Sequence, residues 1–235
     1  MPVSMWTRMY DLLYLFFPRF CLYCGKRLNE DEQFLCLHCF CELPRTHYHR
    51  RTDNPAMRLF AGFNQIDEIA AFLFFEKDGN VQHLVHALKY HDNKQLAKYL
   101  GKIAALEMKA DGIFAHIDML IPVPLHPRKE RKRGYNQAEW IAKGIEQVYH
   151  CPINKDLIIR NVNTVTQTRK TIYERNLNVE EIFSVTNAAA LSGKHILLID
   201  DVITTGATLR ACVNALNVVP DLRISIFALS AVQVL

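Results

Sequence analysis

Residues 195–209 read HILLIDDVITTGATL. Four apolar residues, Ile196 to Ile199, run into two adjacent carboxylates, Asp200 and Asp201. A turn of small and hydroxylated residues follows: Thr204, Thr205, Gly206, Ala207 and Thr208. A continuous apolar run suits a central strand covered on both faces. The turn suits a loop that opens a helix, because glycine lets the backbone approach a ligand closely. In open α/β sheets ligands bind beyond the carboxyl ends of the strands, which is where this reading puts the two acids.

Several folds place acids at a strand end. A receiver domain would continue well past the pair, but only 34 residues (235 minus 201) follow Asp201. An Asp-x-Asp string, a Walker A loop and any Gly-x-Gly among the nine glycines are absent, which removes haloacid dehalogenase, P-loop and Rossmann readings. What remains is a strand, two carboxylates and a helix N-terminus with unpaired N–H groups for an anion. The acids can accept hydrogen bonds from vicinal sugar hydroxyls or hold Mg²⁺ through water. A ribose 5-phosphate carries both features.

Outward from this stretch, strand and helix signals alternate. EIAAFLFFE (68–76), HIDMLIPVP (116–124), DLIIR (156–160) and LRISIFALSAV (222–232) read as strands. NVQHLVHALKY (80–90), NKQLAKYLGKIAALEM (93–108), NQAEWIAKGIEQVY (136–149) and ATLRACVNALN (207–217) read as helices. The order predicts an α/β domain with a mostly parallel sheet. Residues 63–235 form this domain, 44–62 read as a basic linker, and 1–43 as a small separate unit.

The chain of 235 residues is half hydrophobic, 22% charged and carries a net charge of +4, an ordinary globular balance that argues against disorder. Five of the seven cysteines lie between 21 and 41, too clustered for a secreted disulfide framework. Trp6, Met9, Tyr10, Leu13, Phe16 and Phe17 fit one face of an amphipathic helix rather than a signal peptide, since Asp11 interrupts the short apolar stretch. No run is long enough to span a bilayer. These features predict a cytoplasmic protein with reduced thiols.

Cys21-x-x-Cys24 and Cys36-x-x-Cys39 have the spacing of two thiolate knuckles that complete a tetrahedral site, so structural Zn²⁺ is expected there. Iron–sulfur is a less fitting alternative, and Cys41 and His38 compete for the fourth position. HPRKERKRGYNQ (126–137) crowds Arg128, Lys129, Arg131, Lys132 and Arg133 just past a strand end, suiting a polyanion or a solvated basic loop. NVNTVTQTRKTIYERNLN (161–178) is long and polar, as lids and binding loops are.

The acid pair with its TTGAT loop resembles the phosphoribosyl pyrophosphate motif of type I phosphoribosyltransferases. IPVPLHPRKERKRGYNQAEWIAKGI (121–145), LVHALKYH (84–91), QTRKTIYERNLNV (167–179) and the cysteine pairs with FFPRFCLYCG (16–25) resemble the ComF family. That family often carries Leu after QT, where this chain has Arg169 and Lys170. The resemblance implies a type I phosphoribosyltransferase-like fold with a small N-terminal zinc-binding unit. It implies that Asp200 and Asp201 are the catalytic acids on the ribose and Mg²⁺, and that the 204–208 loop holds the 5-phosphate. Val123, Pro124 and Leu125, with Arg131, Arg133, Asn136 and Lys89, would face pyrophosphate or another polyanion. Gln167, Arg169, Lys170, Arg175 and Asn176 would belong to a flexible hood, and Tyr135 or Tyr173 could stack a base.

The implied function is binding of phosphoribosyl pyrophosphate with Mg²⁺, in DNA uptake, competence or DNA utilisation, with a helicase or DNA-processing partner. No motif identifies an acceptor. The alternative is a non-catalytic protein that binds single-stranded DNA or a nucleotide on the same fold, through the zinc unit and the basic segments 45–51 and 128–133.

Overall fold

The computed structural model describes residues 17–51, 53–89, 93–161 and 182–233. The amphipathic opening before residue 17 and the proposed hood at 167–176 lie outside them. Four strands form one parallel sheet: β1 (Ile66–Phe75), β2 (Met119–Pro122), β5 (His195–Ile203) and β6 (Arg223–Val232), in the order β1-β6-β5-β2. Ile196–Ile199 therefore lie in an inner strand, flanked by Ile224–Phe227 on one side and Met119–Pro122 on the other. The mostly parallel sheet flanked by helices is the architecture that the alternating signals imply.

Side chains alternate across the sheet, so the two faces build two cores. Leu197, Ile199, Phe227, Leu229 and Phe72 pack against the helices Asn80–Lys89, Lys94–Ala110 and Gln137–Tyr149 and the cysteine-bearing unit. Ile196, Leu198, Ile224, Ile226 and Ile69 pack against the helix Ala207–Leu216 and residues 48–60.

Two of the helices touch backbone to backbone. A Cβ at Gly101 would collide with the Ile141 carbonyl, and one at Gly144 with the Lys98 carbonyl. Glycine is required at this crossing because no other residue leaves room for the opposing main chain.

The structure departs from the sequence-based reading in three places. DLIIR supplies β3 (Ile158–Arg160), but it pairs antiparallel with β4 (Phe183–Val185), outside the parallel sheet. Ile158 is buried and Ile159 is 45% exposed, so this hairpin has one dry face, unlike the central strands. The basic segment is a helix, Pro127–Arg133, started by His126, whose Nδ1 accepts from the Arg128 N–H, and stopped by Gly134 at φ 80°. Pro at its first position and Gly just past its end are the usual punctuation, hidden here by a uniformly charged surface with no apolar period.

The third departure is the stretch 44–62, whose described residues are tied to the sheet at several points. Thr46 donates to the Ala71 carbonyl, Tyr48 packs edge-on against Phe74 at 5.5 Å, and Asn54 donates to the Ile69 carbonyl at 2.7 Å. Tyr48, Ala56 and Phe60 are buried. No helix among the described residues is long and apolar enough to cross a membrane.

Candidate functional site

β5 continues through the two acids to Ile203 before the chain turns. Both acids are half-buried at the carboxyl edge of the sheet. The Asp201 N–H donates to Asp200 Oδ1 at 2.8 Å. Asp201 Oδ2 lies 3.3 Å from Lys89 Nζ, the last residue of its helix. Burial, and then the charge of Asp201, raise the Asp200 carboxyl to about pKa 8, against the weaker pull of Lys89. The free site thus holds two adjacent acids by leaving a proton on one and a lysine on the other.

The strand-end turn is held by the neighbouring strand. Val123 N–H donates to the Ile199 carbonyl at 2.8 Å, one residue before Asp200. Asn136 Nδ2 donates to the Val123 carbonyl at 2.9 Å, while its Oδ1 accepts from Ala138 N–H and caps the helix Gln137–Tyr149. Asn136 therefore couples turn 123–125 to that helix. Arg133 Nη1 reaches Gln137 Oε1 at 3.0 Å, and Arg131 is exposed on the basic helix. Tyr135 is buried, with its hydroxyl on the Leu88 carbonyl, so it fastens the end of the Lys89 helix and offers no free face to a base. Tyr173 lies outside the described residues.

Beyond β5, Thr204, Thr205, Ala207 and Thr208 are exposed and Gly206 is buried at φ 72°, immediately before the helix Ala207–Leu216. The left-handed conformation at Gly206 is one that side chains disfavour. Leu59 and Phe60 pack 3.5 Å from where its Cβ would stand, a support that no local pattern signals. The structure thus brings together the acids, Lys89, turn 123–125 and Asn136, with the 204–208 loop continuous with them. Gln167, Arg169 and Arg175 lie outside the described residues.

The four cysteines form a second, separate cluster. The sulfurs of Cys21, Cys24, Cys36 and Cys39 all lie within 4.8 Å of one another, and Cys24 and Cys36 are 3.8 Å apart. Zn–S bonds of about 2.3 Å arranged as a tetrahedron separate sulfurs by about 3.8 Å, so the cluster fits Zn²⁺. Cys36 N–H points at Cys21 Sγ at 3.3 Å, and Gly25, at φ 72°, closes the first knuckle through its N–H to the Cys21 carbonyl. Burial raises the Cys21 thiol, but N–H groups of Cys36, Cys24 and Tyr23 outweigh it and bring it to about pKa 7. Burial and the neighbouring sulfurs raise Cys39. His38 and Cys41 are exposed and outside the cluster.

The phosphoribosyl transferase domain model matches residues 128–229, from the basic helix through the acid pair into β6. The chain is 26% identical over 192 residues to the DNA utilization protein YhgH of Shigella flexneri, covering 80% of this chain and 79% of that protein. It is 38% identical over 98 residues to the competence protein ComFC of Bacillus subtilis (strain 168), covering 42% of this chain and 38% of that one. Among solved structures, the glutamine phosphoribosylpyrophosphate amidotransferase from B. subtilis aligns at 20% identity with a TM-score of 0.41, over 56% of this chain and 25% of that chain. This chain thus spans a quarter of that larger protein. Residues 128–229 thus carry a phosphoribosyl transferase domain, and the chain is similar in sequence to proteins named for DNA utilization and for competence.

Proposed function

We propose that the chain binds phosphoribosyl pyrophosphate with Mg²⁺, in the cytoplasm, and serves the handling of incoming or salvaged DNA. The observation that carries this reading is the acid pair at the end of β5 followed directly by the exposed threonines and the left-handed Gly206. Asp200 and Asp201 supply hard oxygen donors for the ribose hydroxyls and for a hydrated Mg²⁺. The 204–208 loop supplies hydroxyls and the N-terminus of the helix Ala207–Leu216 for the 5-phosphate. Turn 123–125, with Asn136, Arg131 and Arg133, lies on the side of the leaving pyrophosphate. Mg²⁺ would neutralise charge on that group.

Displacement of pyrophosphate at C1 depends on positioning and electrostatics, so it needs no protein nucleophile. The test is a thermal melt. Phosphoribosyl pyrophosphate with Mg²⁺ is expected to raise Tm by several degrees at saturating ligand, and the paired variant Asp200→Asn, Asp201→Asn is expected to abolish the shift. A wild-type protein whose Tm does not move refutes the reading.

A second reading rests on the basic helix Pro127–Arg133, which buries no residue and exposes most of its cations. With relatives named for competence and DNA utilization, it suits the backbone of single-stranded DNA, met together with a helicase or processing partner. Affinity for an oligonucleotide should then fall steeply with salt and weaken when Arg131, Lys132 and Arg133 become Ala. Salt-independent binding would exclude this reading.

A further inference from the structure

Lys89 is drawn into the site by its ion pair with Asp201. It ends the helix Asn80–Lys89, whose last carbonyls attract a cation. Tyr135 fastens the Leu88 carbonyl immediately before it, and Lys94 Nζ lies over the Tyr135 ring at 5.6 Å. The ammonium reaches Asp201 at 3.3 Å, with both side chains largely removed from solvent, at 27% and 18% exposure. The same turn that carries Tyr135 carries Asn136, which holds turn 123–125. Lys89 thus pairs with Asp201 at the end of a helix that Tyr135 ties to the segment whose next residue, Asn136, holds turn 123–125.

An ammonium on Asp201 and a divalent cation on the same carboxylate compete, because each needs the oxygen that faces the ligand. We infer that Lys89 is a place-holding cation: it occupies Asp201 while the site is empty, yields that carboxylate to Mg²⁺, and turns to the anionic pyrophosphate as the ligand enters. The exchange keeps a positive charge on Asp201 before and after binding. It also makes Mg²⁺ and the phosphorylated sugar bind together, since Lys89 gives up one anionic partner only when another arrives. This inference rests on the phosphoribosyl pyrophosphate reading for the arriving group, but the competition at Asp201 stands on the ion pair alone.

The two parts are separable by titration of the intact chain with Mn²⁺, followed by electron paramagnetic resonance. In Lys89→Met, Mn²⁺ without sugar phosphate should bind about tenfold more tightly than in wild type, because no ammonium competes. Lys89→Arg, which keeps the charge, should bind it as wild type does. In calorimetry, phosphoribosyl pyrophosphate in the presence of Mg²⁺ should bind Lys89→Met about tenfold more weakly. The coupling between metal and sugar phosphate expected in wild type should disappear. Equal Mn²⁺ affinity in Lys89→Met and wild type overturns the place-holding role. Tighter Mn²⁺ binding together with no sugar-phosphate binding by wild type keeps the competition at Asp201 and overturns the hand-over to pyrophosphate, along with the reading it rests on.

Discussion

Asp200 sets a conflict between stability and binding at the scale of one residue. Its carboxyl titrates near pH 8 in the folded chain, raised by burial and by Asp201, against about 3.9 in an unfolded one. The folded chain then retains a proton that the unfolded chain has released. The resulting stability is fully present below about pH 4 and declines as pH rises, until it is lost through about pH 8. Asp200→Asn, which carries no charge at any pH, is expected to melt above wild type at pH 8.5 and to show a flatter Tm between pH 5 and 8.5. Each kcal/mol recovered is worth roughly 2–4 °C in a chain of this size. A wild-type Tm as flat as that of the variant would contradict the raised carboxyl. The same substitution should remove the ligand-dependent shift, so the residue that costs stability in the free protein is the one that the proposed binding would use.

At the scale of elements, the candidate site depends on a crossing of two helices behind it. Asn136 starts the helix Gln137–Tyr149 and holds turn 123–125, so the position of that helix is the position of the turn. The helix is seated by Gly144 against the Lys98 carbonyl and by Gly101 of the Lys94–Ala110 helix against Ile141. Gly144→Ala puts a methyl group into backbone that has no rotamer to move. Overpacking costs typically about 1–3 kcal/mol, and here the upper end is expected, read as a lower denaturation midpoint in urea at unchanged slope. A loss below about 0.5 kcal/mol, the usual size of a surface substitution, would show that the helices separate freely.

At the scale of the molecule, the cysteine unit is built into the larger core. Phe34 of the unit lies 5.4 Å from Tyr99 of the Lys94–Ala110 helix, and Cys21, Cys36 and Cys39 join the same buried cluster as Leu96 and Leu100. Arg45 donates to both carboxylate oxygens of Glu107 at 2.9 Å and to the Phe40 carbonyl at 3.0 Å, fastening the exit of the unit to the same helix. The four clustered cysteines could hold a metal whose binding adds to the stability of the fold. Cys36→Ser, or strong chelation, is therefore expected to release about one equivalent of Zn²⁺ and to lower Tm in a single transition. A metal-free chain with unchanged melting would contradict the structural role, and two separate transitions would show that the unit unfolds alone.

The acid pair, the loop after it and the clustering of four cysteines were legible in the sequence because each shows as a short local pattern of residue types. The mostly parallel sheet was legible for a related reason, since apolar runs alternating with 3.6-residue periods leave few topologies. The partner of Asp201 was not legible, because Lys89 lies more than a hundred positions away and an ion pair leaves no periodic signal. Nor were the support of Gly206 by Leu59 and Phe60, or the pairing of β3 outside the sheet. By itself the sequence determined which groups are present and which strand ends carry them. Only the tertiary structure decided which charges meet, because burial and distance, which set the proton on Asp200 and the cation on Asp201, exist only once the chain has folded.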